Sequence, residues 1–139
     1  MSGEPRNRPF GTLDFLYTPS ADVGADARYL TQVLGGDLVF AIEDGGIRVA
    51  MVRLSEAPPA ILLTDHLEGD RPIHVYAVPD LDDATRTLEA RGWRAARSIE
   101  LPPGPAISFA TPNGLRLALY QASRPYVLAG FAGRFDFEV

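Results

Sequence analysis

No cysteine occurs in the 139 residues. Its absence excludes a disulfide framework, a thiolate metal site and a cysteine nucleophile. Histidine is nearly as scarce: His66 and His74 are the only two, so imidazole chemistry has two places to occur. Acidic residues outnumber basic ones by 18 to 13, for a formal net charge of -5. No basic stripe is available to release counterions from phosphates, so nucleic acid is not an expected partner. No apolar run approaches a membrane span, and the opening MSGEPRNRPF has no apolar signal core. A membrane is therefore not expected as a partner, and a cytoplasmic location is. The serines lie in no nucleophile-elbow motif, and Asp44-Gly45-Gly46 reads as a hairpin turn rather than a phosphate loop. With 46% apolar residues, the chain reads as a single globular domain with a real core.

The most legible stretch is PIHVYAVPDLDDATRTLEARGWR, residues 72–94. HVYAV is short, β-branched and aromatic, which predicts a strand, and Pro79 stops it. Asp80 stands where a helix N-cap belongs, with Asp83 three residues on as a short-armed capping box. Leu81, Ala84 and Leu88 recur at helical spacing, and Gly92 falls where an αL C-cap is wanted. The clustered carboxylates Asp80, Asp82 and Asp83 suit the helix dipole better than catalysis.

The same order of strand, break, helix, glycine and strand occurs earlier, over residues 13–40. There Ser20 or Asp22 can cap a helix running to Leu34, with Tyr29, Leu30, Val33 and Leu34 as its buried stripe. Asp44-Gly45-Gly46 is a strong hairpin signal between two further strands. Laying the halves on each other without a gap matches Phe15 with His74 and Tyr17 with Tyr76. Downstream, AILLTD at 60–65 matches LRLALYQ at 115–121, so Leu63 meets Ala118. The expected architecture is α+β, with two tandem βαβββ modules at about 10–66 and 72–122. An extension follows over 123–139, in which Phe135 and Phe137 alternate with polar neighbours. It reads equally as a short edge strand, a strap across a partner subunit or a frayed tail.

Two such modules, with DLDDATRTLEARGW and TPNGLRLALYQ in these places, resemble the vicinal oxygen chelate superfamily over residues 13–121. That superfamily includes glyoxalases, bleomycin-resistance proteins and extradiol dioxygenases. The resemblance implies curved mixed sheets around a cleft, and a homodimer. It also implies, for the catalytic members, a divalent metal held by His, Gln or Glu on the first and last strands of each module. Carried over, those positions are Phe15, Leu63, His74 and Ala118. Only the histidine offers a lone pair, and such cations need about three protein donors. No metal and no other cofactor is expected, and metal-dependent glyoxalase or dioxygenase chemistry is not either. His66, which alternation puts on the opposite face from Leu63, falls outside this set.

Period-two alternation then adds Tyr17 and Tyr76 from the first strands, and Ile61, Asp65, Arg116 and Tyr120 from the last, to the same expected face. The eight residues Phe15, Tyr17, Leu63, His74, Tyr76, Arg116, Ala118 and Tyr120 make an aromatic, apolar ligand site with few polar handles. Arg48, Arg53, Arg94 and Arg97 lie on middle strands, at the cleft mouth or on a solvent-facing edge. The leading reading is a metal-free protein that sequesters a small apolar or aromatic molecule, as resistance-type proteins do. A metal-independent lyase or isomerase would use His74 as its acid/base. A third reading is an interaction module with a filled core.

Overall fold

A computed structural model describes residues 8–94 and 97–139. Most of the polar opening MSGEPRNRPF, expected from its composition to be a loose leader over residues 1–9, therefore lies outside the described residues. Eight strands form one mixed sheet in the order β2-β3-β4-β1-β5-β8-β7-β6. The first half supplies β1 (Leu13–Pro19), β2 (Asp37–Asp44), β3 (Ile47–Arg53) and β4 (Ala60–Thr64). The second supplies β5 (Ile73–Ala77), β6 (Arg97–Leu101), β7 (Gly104–Ala110) and β8 (Arg116–Tyr120). Within each half the first strand runs parallel to the last, and the other ladders are antiparallel. The halves join where β1 pairs antiparallel with β5. Two βαβββ modules thus curl into an open half-barrel.

Local chemistry accounts for the elements. Gly45 and Gly46 close the β2–β3 hairpin at φ 58° and 82°, which only glycine adopts freely. Helix α1 (Val23–Arg28) begins where Asp22 Oδ1 accepts the Ala25 amide at 3.0 Å. Helix α2 (Leu81–Glu89) begins likewise at Asp80, whose Oδ1 accepts the Asp83 amide at 3.1 Å. Gly92 follows it at φ 89°, as a left-handed cap requires. Leu81, Ala84 and Leu88 bury against Val78 and Leu119 on the outer face of the sheet.

The first helix departs from expectation in its second half. After Arg28 the backbone widens into a π-type turn, Tyr29–Val33. More residues per turn rotate the following side chains off the sheet-facing line. Val23, Ala27 and Leu30 pack inward, while Tyr29, Val33 and Leu34 are 55%, 64% and 53% exposed. Three of the four expected stripe residues are therefore surface residues.

The extension is neither a simple strand nor a frayed end. Pro125–Phe131 form a third helix, α3, with proline in its first turn, where its missing amide costs nothing. Beyond it the chain runs along the free edge of β2. The Ala41 amide donates to the Arg134 carbonyl at 2.9 Å, and Phe135 bridges Ala41 in parallel. The Arg48 guanidinium lies 4.6 Å from the Phe137 ring centre. An edge that would otherwise offer unpaired amides is covered by the chain itself.

Candidate functional site

The two halves are related by the β1–β5 ladder, and its register decides which residues face inward. Phe15 pairs with Val75, Leu16 with His74 and Tyr17 with Ile73. A twofold relation consistent with these pairs carries Phe15 onto Ile73, Leu16 onto His74 and Tyr17 onto Val75. The parallel ladders agree: Tyr17 lies beside Leu62, and Val75 beside Ala118. Leu62 is thus the counterpart of Ala118. Compared with the ungapped alignment of the halves, the match slips by one residue in both strands. In a strand, one residue exchanges the faces.

Five of the expected site residues, Phe15, Tyr17, Arg116, Ala118 and Tyr120, do stand on the inner side of the sheet. Leu63, His74 and Tyr76 do not. Leu63 packs under α1 with Val23 and Ala27, and Tyr76 packs under α2. His74 alternates with the inward Ile73 and Val75, and its Nδ1 donates to the Arg116 carbonyl at 3.2 Å. As an acid/base for a ligand in the cleft, His74 is on the wrong face.

The corrected register also moves the metal-ligand positions implied by the resemblance. They become Phe15, Leu62, Ile73 and Ala118, and none of these side chains has a donor atom. No group of three or more His, Asp or Glu side chains suited to a metal occurs among the described residues. The residues present do not fit the metal of the family's catalytic members.

Between the concave face and α3 lies a cavity of about 200 Å³. Phe15 and Tyr17 of β1, Phe40 and Ile42 of β2, Val49 of β3, Leu62 of β4 and Val75 of β5 form its walls. Leu128 and Phe131 of α3 roof it, and Leu101, Pro102 and Pro103 close its far side. The rings of Phe40 and Phe131 meet edge to face at 5.5 Å. Tyr120 stays out of this lining. Its ring packs on Phe15 at 5.7 Å, and its hydroxyl donates to Asp14 Oδ2 at 2.6 Å. Burial, and then the adjoining Asp14 carboxylate, raise the Tyr120 pKa well above a phenol's usual value.

A second, polar cavity of about 210 Å³ adjoins the first and shares Tyr17, His66, Glu100 and Leu101 with it. His66 stands at the junction. Its Nδ1 lies 2.8 Å from Oγ1 of the fully buried Thr64, and its ring is edge-on to Tyr17 at 6.4 Å. The hydrogen bond fixes the ring's orientation and leaves Nε2 on the other side. Burial raises the Tyr17 pKa, and the Thr64 side chain offsets part of that. The sequence carried a usable signal for His66: alternation places it opposite Leu63, which is the cavity side once the register is corrected. Arg97, expected at the cleft mouth or on a solvent-facing edge, and Arg116 line the polar cavity.

A pseudo-twofold pair of βαβββ modules curled around a cleft defines the vicinal oxygen chelate, or glyoxalase-like, fold. No family model and no curated protein matches this sequence. Solved structures do match it. The methylmalonyl-CoA epimerase of Mycobacterium tuberculosis superimposes with a TM-score of 0.70 at 18% identity, over 89% of this chain and 96% of that one. A Streptomyces coelicolor methylmalonyl-CoA epimerase variant in complex with 2-nitronate-propionyl-CoA gives 0.62 at 14% identity, over 82% and 96%. TnmS3, an antibiotic binding protein from Streptomyces sp. CB03234, is 20% identical with a TM-score of only 0.41. At such identities the likeness establishes the fold alone.

Proposed function

We propose that this chain is a metal-independent small-molecule-binding protein of the vicinal oxygen chelate superfamily. It takes an apolar or aromatic compound into the cleft beneath α3 and holds it stoichiometrically, in the manner of resistance-type proteins. The observation that carries this reading is the unfilled apolar cavity walled by Phe15, Tyr17, Phe40 and Phe131. Aromatic faces supply affinity in such a site, and the few polar groups near it supply orientation. A homodimer belongs to the same reading, supported by the exposed Tyr29, Val33 and Leu34 near the Gly35-Gly36 turn.

A second reading keeps the metal-free cleft and adds proton transfer. Its acid/base is His66 rather than His74, because His66 is the imidazole that lines the cavity and is oriented by Thr64. Native mass spectrometry of protein purified without chelator tests the first reading. A metal-free assembly carrying an organic adduct supports it, and a divalent metal that survives desalting at each site overturns it. His66→Gln separates the readings: retained binding with lost turnover points to catalysis.

A further inference from the structure

We infer that the ligand is an organic anion, an aryl or branched alkyl carboxylate whose apolar body enters the inner cavity while its carboxylate meets Arg97 and Arg116. This rests on the binding reading above and assigns the chemical class of its ligand. The polar cavity holds unmatched positive charge. Arg97 lies on β6 opposite Ser108, in alternation with Ile99 and Leu101, so its side chain shares their cleft-facing side. Among the described residues its guanidinium has no hydrogen bond or ion pair. Arg116 Nη1 donates to the carbonyls of Glu68 and Arg71, both at 2.8 Å. Those bonds hold the group in place and leave its charge unneutralised.

Two carboxylates also line the polar cavity, Glu68 and Glu100. Glu100 is already matched, since its Oε2 lies 2.7 Å from Nη2 of Arg124. Glu68 is exposed on its loop and is the remaining negative charge against two guanidiniums. The local balance is therefore positive, in a chain whose formal charge is -5. A cationic spot inside a cleft of an acidic protein favours an anion there. Guanidinium forks match carboxylates in shape as well as charge.

Size sets the rest. A cavity of roughly 150 Å³ suffices for benzene, and the inner one measures about 200 Å³. A phenyl ring with a short alkyl chain fits, with the carboxylate emerging past His66 into the polar cavity.

The test uses the full chain and three probes of one shape: phenylbutanoate, phenylbutanamide and phenylbutylamine. Dissociation constants come from calorimetry in a buffer free of phosphate and carboxylates. The carboxylate is expected to bind about tenfold more tightly than the amide, the scale of one charge-assisted pair at a solvated site. Arg97→Gln, which breaks no internal contact, should remove most of that gap, and added salt should narrow it. Equal affinity for carboxylate and amide overturns the anion inference and leaves the cavity reading standing. Tightest binding of the amine overturns it in favour of Glu68. Binding of none of the three overturns both the inference and the cavity reading on which it rests.

Discussion

Arg124 and Glu100 form the contact that sets α3 over the cleft. Their side chains meet at 2.7 Å, and the same guanidinium donates to the Leu101 carbonyl at 3.1 Å. The Arg124 amide adds a bond to the Pro103 carbonyl at 2.8 Å. One residue thus ties the start of the roofing helix to the β6–β7 corner, while Phe131 anchors the other end on Phe40. The ion pair is partly solvated, so its own worth is small, about 1 kcal/mol or less. Arg124→Ala should therefore leave the sheet intact, with a Tm loss of a few degrees at most. Its larger effect should be local: amide exchange in α3 should speed up, and a bound apolar probe should leave faster. Hydrogen exchange by mass spectrometry checks this, and unchanged protection in α3 would show that the helix is held by its apolar face alone.

The cavity itself can be filled. Val49 of β3 contributes to its wall from the inner face. Val49→Phe places a ring in the void instead of against packed atoms, so the usual overpacking penalty of about 1–3 kcal/mol should be largely absent. Stability should hold within about 1 kcal/mol while apolar probe binding falls by at least tenfold. Calorimetry on the variant, with urea midpoints beside it, separates loss of the cavity from loss of the fold.

Alkaline pH should expose the two inward tyrosines. Burial raises the pKa of Tyr17 and of Tyr120 above the ordinary 10.0, and the Asp14 carboxylate adds to the shift at Tyr120. The unfolded chain then loses its phenolic protons first. Stability from these groups is fully present below the unfolded value and drains away as pH rises from there toward the folded one. Urea midpoints should be level on this account from neutrality to about pH 9 and fall above about pH 10. Tyr120→Phe should flatten part of that fall. At neutral pH it should cost about 1–2 kcal/mol, because Asp14 loses its hydrogen-bond donor at 2.6 Å.

The repeat, the caps at Asp22 and Asp80, and the Gly45-Gly46 hairpin were legible because each rests on local chemistry. The inward face of β5 was not. Ile73 and Val75 face the core, while His74 and Tyr76 lie on a face that the helices partly cover. With both sides of the sheet occupied, period-two contrast vanishes and one residue of slip goes unseen. The ungapped match of the halves, Tyr76 on Tyr17 and His74 on Phe15, therefore puts three site residues on the wrong side. The helix α3 was hidden for a different reason. PYVLAGF is short, contains a glycine and lacks a side-chain cap, so its helicity depends on contacts with the β6–β7 corner and β2.

Divalent metals should leave the protein unmoved. The register places Phe15, Leu62, Ile73 and Ala118 where the catalytic members of the superfamily would need donors, and all four present carbon to the cleft. Selective binding to the folded state would raise Tm with metal concentration, by about 2.7 kcal/mol of stability at a hundred times Kd. Nickel, cobalt or zinc at millimolar concentration should produce no such rise, and chelator should produce no fall. The informative control is a restored site rather than a lost one. Phe15→His, Leu62→Gln, Ile73→His and Ala118→Glu together put donors on the four facing positions, the first and last strands of each half. Metal-dependent stabilisation in that variant, absent from the parent, would confirm the one-residue correction. The same set built at the uncorrected positions, with donors at 63 and 74, should gain nothing, because Leu63 lies under α1 on the far face of the sheet.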